Sequence, residues 1–392
     1  MTKWQAWLQQ QTNNLTTVRK RLVKTGGNCR WLLIEAQPKL NFISNDYLGL
    51  SSDQRLIEAL FQASKQYGVG STGAATLSGY SQEHKLLAAE MAQWLGRERC
   101  LLFNSGYQLN VSLLAALVDS NTYIWLDAKC HASHFAGVRL ARARFSRFTT
   151  EELAQLATKI KQHTYLRQII ISEGCCSMDG SNSYLAQLLQ IKQAHPENIL
   201  LIIDDAHGFG TLGKQGHGSL SSMGIDLTKV DLLIGTFGKA FGAHGGFIAG
   251  IQQLIDYLQQ TVTGQIYSTT LPPAIVAAAR AALAIIKSAE GSHLRAKLAA
   301  NIKYFQHLAL KRGLILDNWR SNLSPIQLIS FNGAEKLQQV HQKLYDRNLL
   351  VGKMLYPTVP KATPRLRISL NVLHQPTDLH YLVDSLAEVC YA

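Results

Sequence analysis

The sequence predicts an α/β fold with a mostly parallel central sheet flanked by helices, followed by a smaller α+β domain at the C-terminus. Three observations predict it. Apolar runs of three to five residues recur without alternation, at 100–103, 123–126, 169–171, 199–203, 232–234 and 247–249. Runs of that kind are what strands buried on both faces look like. Helical patterns separate several of them, and strand alternating with helix builds a parallel sheet. From about residue 273 the texture changes to Ala-rich helix and then to alternation, which marks a second, smaller unit.

Taken in order, residues 1–50 read as an N-terminal helical and strand segment, 51–280 as the large α/β domain, and 281–392 as the small α+β domain. Ahead of the first apolar run, Leu87, Met91 and Leu95 fall at i, i+4 and i+8, and Ser81 is placed to cap that helix. Between the second and third runs, Thr149 and Glu152 make a capping box, with Leu153, Leu156 and Ile160 following at helical spacing. Further helices are expected over 275–286 and 292–313. In 364–370, period two puts Arg365 and Arg367 on one face and Leu366, Ile368 and Leu370 on the other, the pattern of a half-buried antiparallel strand.

Composition narrows the function. The 392 residues are 46% hydrophobic and 17% charged, with 29 Gly and 9 Pro, which excludes a disordered tail protein, a collagen or a coiled coil. Lys plus Arg exceed Asp plus Glu, 39 against 26, for a net charge of +13, so anionic partners fit. The basic residues are scattered or in short groups (Lys20 and Arg21; Arg142, Arg144 and Arg147) without a basic arm. Phosphorylated cofactors and thioester carriers are therefore expected, and no nucleic acid. Six cysteines in this length form no disulfide framework; Cys175 and Cys176 beside an apolar run read as buried, and a reducing, cytoplasmic setting fits. The start, with Trp4, Trp7 and Leu8 among Gln residues, has no continuous apolar core and does not read as a secretory signal. The longest apolar stretch, 271–286, is broken by Pro272, Pro273 and Arg280, so no membrane span is expected.

In open α/β sheets ligands bind beyond the carboxyl ends of strands, so the residues after each run carry the functional reading. After 199–203 come Asp204, Asp205, Ala206, His207 and Gly208: metal ligands, acid/base groups, or a counter-charge for a cationic cofactor ring, against a capping Asp and a packed His. After 232–234, Lys239 stands between Gly238 and the Ala240-Phe241-Gly242 segment. A site that desolvates the amine lowers its pKa, as an imine-forming lysine requires, and no Walker pattern is present. After 100–103, Asn104-Ser105-Gly106-Tyr107 feeds a helix whose free amides make a phosphate seat. After 123–126, His131 and His134 lack a third ligand at a familiar metal interval, so no metal is expected and a ring-stacking or acid/base histidine fits better. Together, an amine nucleophile, a carboxylate, a phosphate turn and a histidine are the parts needed to hold pyridoxal phosphate.

The chain resembles the α-oxoamine synthases, fold-type-I pyridoxal-phosphate transferases that join an amino acid to an acyl thioester with loss of carbon dioxide. The likeness runs from about Arg19 to the C-terminal strand. It rests on Ser44-Asn45-Asp46-Tyr47-Leu48-Gly49-Leu50, Ser78-Gly79-Tyr80-Ser81, Asp204-Asp205-Ala206-His207-Gly208, Thr236-Phe237-Gly238-Lys239-Ala240-Phe241-Gly242, Ile266-Tyr267-Ser268-Thr269, Pro357-Thr358-Val359-Pro360 and Arg365-Leu366-Arg367. The two cofactor strings are most similar to the branch that uses L-alanine and pimeloyl-CoA or a pimeloyl carrier protein; the alternative is another member, such as a glycine C-acetyltransferase. The resemblance implies that Lys239 is the Schiff-base lysine, that Asp204 pairs with the ring nitrogen, and that His207 and Ser177 contact the ring hydroxyl. It further implies that His131 stacks on the ring, that Gly106, Tyr107 and Thr236 hold the phosphate, and that Thr269 reaches in from the second subunit of a homodimer. Arg19, Asn45, Thr358 and Arg365 fall where the family handles the acyl chain and the amino-acid carboxylate. Leu355 stands where many relatives have Arg, Phe209 where Thr is usual and Tyr107 where Phe is commoner, which leaves the acyl-chain length open.

Overall fold

The apolar runs of the middle third become neighbours in one sheet, and its two faces explain why they do not alternate. The computed structural model describes residues 1–14, 21–181, 184–317, 324–356 and 358–391. Its strands are β1 (Lys24–Gly27), β2 (Trp31–Ile34), β3 (Gln37–Phe42), β4 (Arg99–Phe103), β5 (Thr122–Asp127), β6 (Arg144–Phe148), β7 (Arg167–Glu173), β8 (Ile199–Asp204), β9 (Leu232–Thr236), β10 (Gly246–Gly250), β11 (Ile326–Ser330), β12 (Leu349–Met354) and β13 (Arg365–Ser369). A seven-stranded sheet runs β4-β10-β9-β8-β7-β5-β6. Neighbours from β9 to β6 are parallel, and β10 runs antiparallel to both β4 and β9. On β8, Leu201 and Ile203 enter the apolar cluster on one face and Ile202 the cluster on the other. Each such side chain taken from water contributes about 1.5–3 kcal/mol, so neither face tolerates a polar register.

One strand of this sheet lies outside the apolar criterion. Arg144–Phe148 forms β6 at the sheet edge, parallel to β5, so the arginine group at 142–147 is largely an edge strand and not a loose basic patch. Charged side chains on an edge oppose pairing with another sheet.

The second sheet has six strands in the order β1-β2-β3-β12-β13-β11. The parallel pairing of β3 with β12 brings residues 37–42 and 349–354 together, so the N-terminal strands and the C-terminal part share one sheet. β13 is antiparallel to both β12 and β11, as the alternation predicts, but it is buried on both faces and not on one. Leu366 and Ile368 enter the core, while Arg367, 7% exposed, donates from Nε to the Ser177 carbonyl at the end of the large sheet. Of the arginine face, Arg367 alone joins the second sheet to the loop that follows β7.

Helix boundaries follow their caps. Gln82–Trp94 starts at Ser81, whose capping box is closed by His84, and the Thr149–Glu152 box opens a 3₁₀ turn that leads into Leu153–Gln162. Pro273–Lys287 opens on a proline, which lacks the N–H that a first turn leaves unpaired. Ala289–Lys311 begins earlier than periodicity suggests because Ser288 accepts from Gly291 N–H. Cys175 and Cys176 are both buried as free thiols. Among the described residues no helix is long and apolar enough to cross a membrane.

Candidate active site

Because β5, β7, β8 and β9 are parallel, their carboxyl ends meet at one edge of the sheet, and a cleft of about 240 Å³ opens there. Asp204, 6% exposed, ends β8 and points into it. Its neighbour Asp205 points the other way and takes the N–H and hydroxyl of Ser219, each at 2.6 Å. Adjacent strand-end carboxylates thus separate into a cleft-facing charge and a structural acceptor. Burial pushes Asp205 up to about 7 despite those bonds.

Lys239 lies in the loop between β9 and β10, and its side chain lines the cleft. The loop folds tightly: Gly242 has φ +64°, and a Cβ there would sit 2.3 Å from Ser51 N, so both conformation and space call for glycine. Burial lowers the Lys239 pKa most strongly, against the charges of Asp204 and Glu173, which favour the ammonium. For Asp204, burial alone would raise the pKa. The hydrogen bond and charge of His134, the charge of Lys239 and the Asn110 bond outweigh it and bring Asp204 down to about 2. His134 Nε2 lies 3.1 Å from Asp204 Oδ2, Asn110 Nδ2 donates to the same oxygen at 2.8 Å, and Ala206 N–H donates to Oδ1 at 3.1 Å. The carboxylate is anionic and held on both oxygens.

The remaining walls come from neighbouring strand ends. Gly106 and Tyr107 open the helix Gly106–Leu117, which Ser105 caps by accepting from Gln108 N–H. Their own first-turn amides have no helical acceptor and suit an anion. Thr236, ending β9, donates from Oγ1 to Gly245 O at 2.7 Å and accepts from Gly238 N–H. His131 caps the helix Ala132–Leu140 at the cleft rim, and burial lowers its pKa. His207 is buried with Nδ1 2.7 Å from the Tyr47 hydroxyl, and burial together with the charges of Lys239 and Arg367 holds it well below its ordinary value, hence neutral. Ser177 lines the cleft too.

The structure therefore brings together Gly106, Tyr107, His131, Ser177, Asp204, His207, Thr236 and Lys239. Others stand apart. Thr269 is exposed and outside the cleft of its own chain, its carbonyl held by the Asn104 amide at 2.7 Å. Thr358 is exposed in the loop after β12, and Arg365 turns its guanidinium onto Thr363. Asn45 is not among the lining residues; its Oδ1 accepts from the Tyr47 hydroxyl and from Arg367. Of the two same-face arginines, Arg367 is the one turned toward the site. Arg19 lies outside the described residues.

Three further residues belong to the site. Glu173, 3% exposed at the end of β7, accepts His131 N–H on Oε1 and Ser177 N–H on Oε2, each at 2.6 Å, clamping two cleft loops together. Burial, then the charge of Asp204, raises its pKa. Asn110 and His134 hold Asp204. The i, i+3 spacing of His131 and His134 singled out the second histidine, but only as half of a metal pair. Among the described residues no group of three or more His, Cys, Asp or Glu side chains is arranged to hold a metal ion.

These groups fit pyridoxal phosphate on several independent counts. A small cleft is lined by a desolvated amine and a permanent anion, a helix start offers free amides, and Asn110 Oδ1 is buried without a partner among the described residues. The chain belongs to the class I and II aminotransferase family, whose sequence model matches residues 37–386. Within that class it belongs with the 8-amino-7-oxononanoate synthases. It is 38% identical over 355 residues to the 8-amino-7-oxononanoate synthase of Saccharophagus degradans, covering 91% of this chain and 88% of that protein. The crystal structure of the Francisella tularensis 8-amino-7-oxononanoate synthase matches with TM-score 0.77 and 29% identity, over 90% of this chain and 98% of that one. A Sphingomonas wittichii serine palmitoyltransferase matches with TM-score 0.91 and 25% identity, over 99% and 97%. The fold is that of the fold-type-I transferases.

Proposed function

We propose that this protein condenses L-alanine with a pimeloyl thioester, carried by CoA or a carrier protein, to give 8-amino-7-oxononanoate and carbon dioxide in biotin biosynthesis. The single observation that carries the reading is the desolvated Lys239 amine and the anionic Asp204 lining one cleft. Pyridoxal phosphate bound there supplies an aldehyde that takes up the amino acid and a cationic ring that draws electrons from its Cα.

The side chains then have separate tasks. Asp204 holds a proton on the ring nitrogen, because its own pKa is too low for it to take that proton away. Lys239, its ammonium form disfavoured by burial, is the base for the Cα proton and returns it later as an acid. Gly106, Tyr107 and Thr236 seat the phosphate, and Ser177 and His207 meet the ring hydroxyl. His131 covers the ring and faces the thioester carbonyl. The substrate carboxylate meets Arg367, already anchored on Asn45 and on the Ser177 carbonyl, and Arg365 plays a supporting part from Thr363. Arg19 and Thr358 serve the acyl chain.

The protein acts as a homodimer, with the partner subunit's Thr269 completing the phosphate seat. Two large side chains left exposed around Thr269 support this, Tyr267 at 83% and Leu77, next to the Ala74–Thr269 bridge, at 85%. Six free cysteines suit the reducing cytoplasm, where CoA thioesters are made. The test is thiol release and product mass with alanine, glycine or serine against pimeloyl-CoA, pimeloyl carrier protein or acetyl-CoA. Alanine with a pimeloyl donor is expected to dominate. Turnover confined to glycine and acetyl-CoA would instead make the protein a glycine C-acetyltransferase.

A further inference from the structure

One buried amide touches both sides of the cleft. Asn110, 3% exposed in the helix that opens at Gly106, donates from Nδ2 to Asp204 Oδ2 at 2.8 Å and to Ser133 Oγ at 3.1 Å. A carboxylate only accepts, so the nitrogen must face Asp204, and its two protons match its two partners.

The bonds continue in one direction. Ser133 Oγ, accepting from Asn110, lies 2.8 Å from His131 Nδ1, and Ser133 N–H donates to that same nitrogen at 3.3 Å. A backbone N–H can only donate. His131 Nδ1 is therefore bare, the Ser133 hydroxyl proton also points to it, and the neutral ring carries its proton on Nε2. We propose that Asn110 is a positioning residue: through Ser133 it holds His131 as the Nε2–H tautomer, a donor toward the cleft, and with the same nitrogen it fixes the Asp204 carboxylate.

The groups around His131 are consistent with a neutral ring. Burial, then the charges of Lys239 after β9 and His134 on the same helix, disfavour its cation, against Asp204 at the end of β8. Glu173 at the end of β7 takes its backbone N–H, and the Tyr107 ring stands edge-on at 6.4 Å. The Asp204 half of the proposal rests on the cofactor reading; the His131 half does not.

The test is ¹⁵N-histidine NMR of the full chain, with and without pyridoxal phosphate, with His131 assigned by its loss in His131→Gln. Wild type is expected to show His131 protonated at Nε2. Ser133→Ala removes a donor to Nδ1 and is expected to raise the His131 titration midpoint by roughly half to one pH unit. Ser133→Thr, which keeps the hydroxyl, is expected to restore it. Asn110→Leu is expected to raise the midpoint likewise and also to shift the pH titration of the bound cofactor's visible band by more than Ser133→Ala does, since only Asn110 bonds the Asp204 carboxylate. Protonation at Nδ1 in wild type overturns the proposal, as does a midpoint unmoved in Ser133→Ala and in Asn110→Leu. Should Asn110→Leu fail to fold, Asn110→Ser, which also removes both amide donors, takes its place, and the serine pair tests the His131 contact by itself. A chain that binds no cofactor defeats the cofactor reading alone, since the histidine spectra still report the tautomer.

Discussion

At Asp204, three neighbouring groups decide the charge of a buried carboxyl. Its desolvation is overcome by His134, Lys239 and Asn110, and the pKa near 2 keeps it anionic wherever the fold survives. Asp204→Asn preserves shape and removes that charge. It is expected to lower kcat by roughly a thousandfold with cofactor still bound, measured by turnover normalised to the visible band. A loss under tenfold contradicts the assigned role. Asp204 and Lys239 were legible because each follows an unbroken apolar run, where a charge has no packing reason to be. Glu173 and Asn110 were not. Glu173 acts on backbone amides of its own following loop and of the distant His131 turn, and Asn110 lies within a helix, where nothing in the spacing tells a buried amide from a surface one. Period two put Arg365 and Arg367 on one face, but only the fold reveals that Arg367 alone reaches Ser177.

Among elements, the six-stranded sheet carries its own acid-sensitive fastener. His374, 1% exposed, follows β13 and stacks on Phe42 of β3 with ring centroids 4.3 Å apart. Asn371 N–H donates to its Nδ1 at 3.2 Å, so Nε2 carries the proton and donates to the Asn41 carbonyl at 3.1 Å. Burial lowers its pKa from 6.5 to about 4. The unfolded chain takes up a proton below 6.5 while the folded chain does not. Stability present above that pH is therefore lost as pH falls toward 4, by up to about 3 kcal/mol. Denaturant unfolding at pH 7 and pH 5 is expected to register the loss, and His374→Gln to flatten it; an equal pH slope in the two proteins contradicts it. At this scale the sequence was most readable in strands with both faces dry and least so in β6, whose Arg-Phe-Ser-Arg-Phe pattern satisfies an edge and resembles no buried strand.

Across the whole molecule, the surplus of +13 charges bears on a polyanionic substrate. A CoA thioester approaching a positive surface is steered at low salt, and the steering fades as the Debye length shrinks from roughly 30 Å at 0.01 M to about 8 Å at 0.15 M. kcat/KM for the CoA donor is expected to fall severalfold over that range, with the alanine KM little changed. A flat profile leaves the charge to solubility alone. Arg367 of the smaller sheet holds Ser177 in the loop after β7, and the cleft that Ser177 lines is built from four strand ends, so placing one amine takes the entire arrangement. Borohydride reduction of the pyridoxal-phosphate-loaded protein, followed by peptide mass mapping, reads that placement out. A pyridoxyl group is expected on Lys239 and none in Lys239→Ala; a stoichiometric label on any other lysine would contradict the assignment of Lys239.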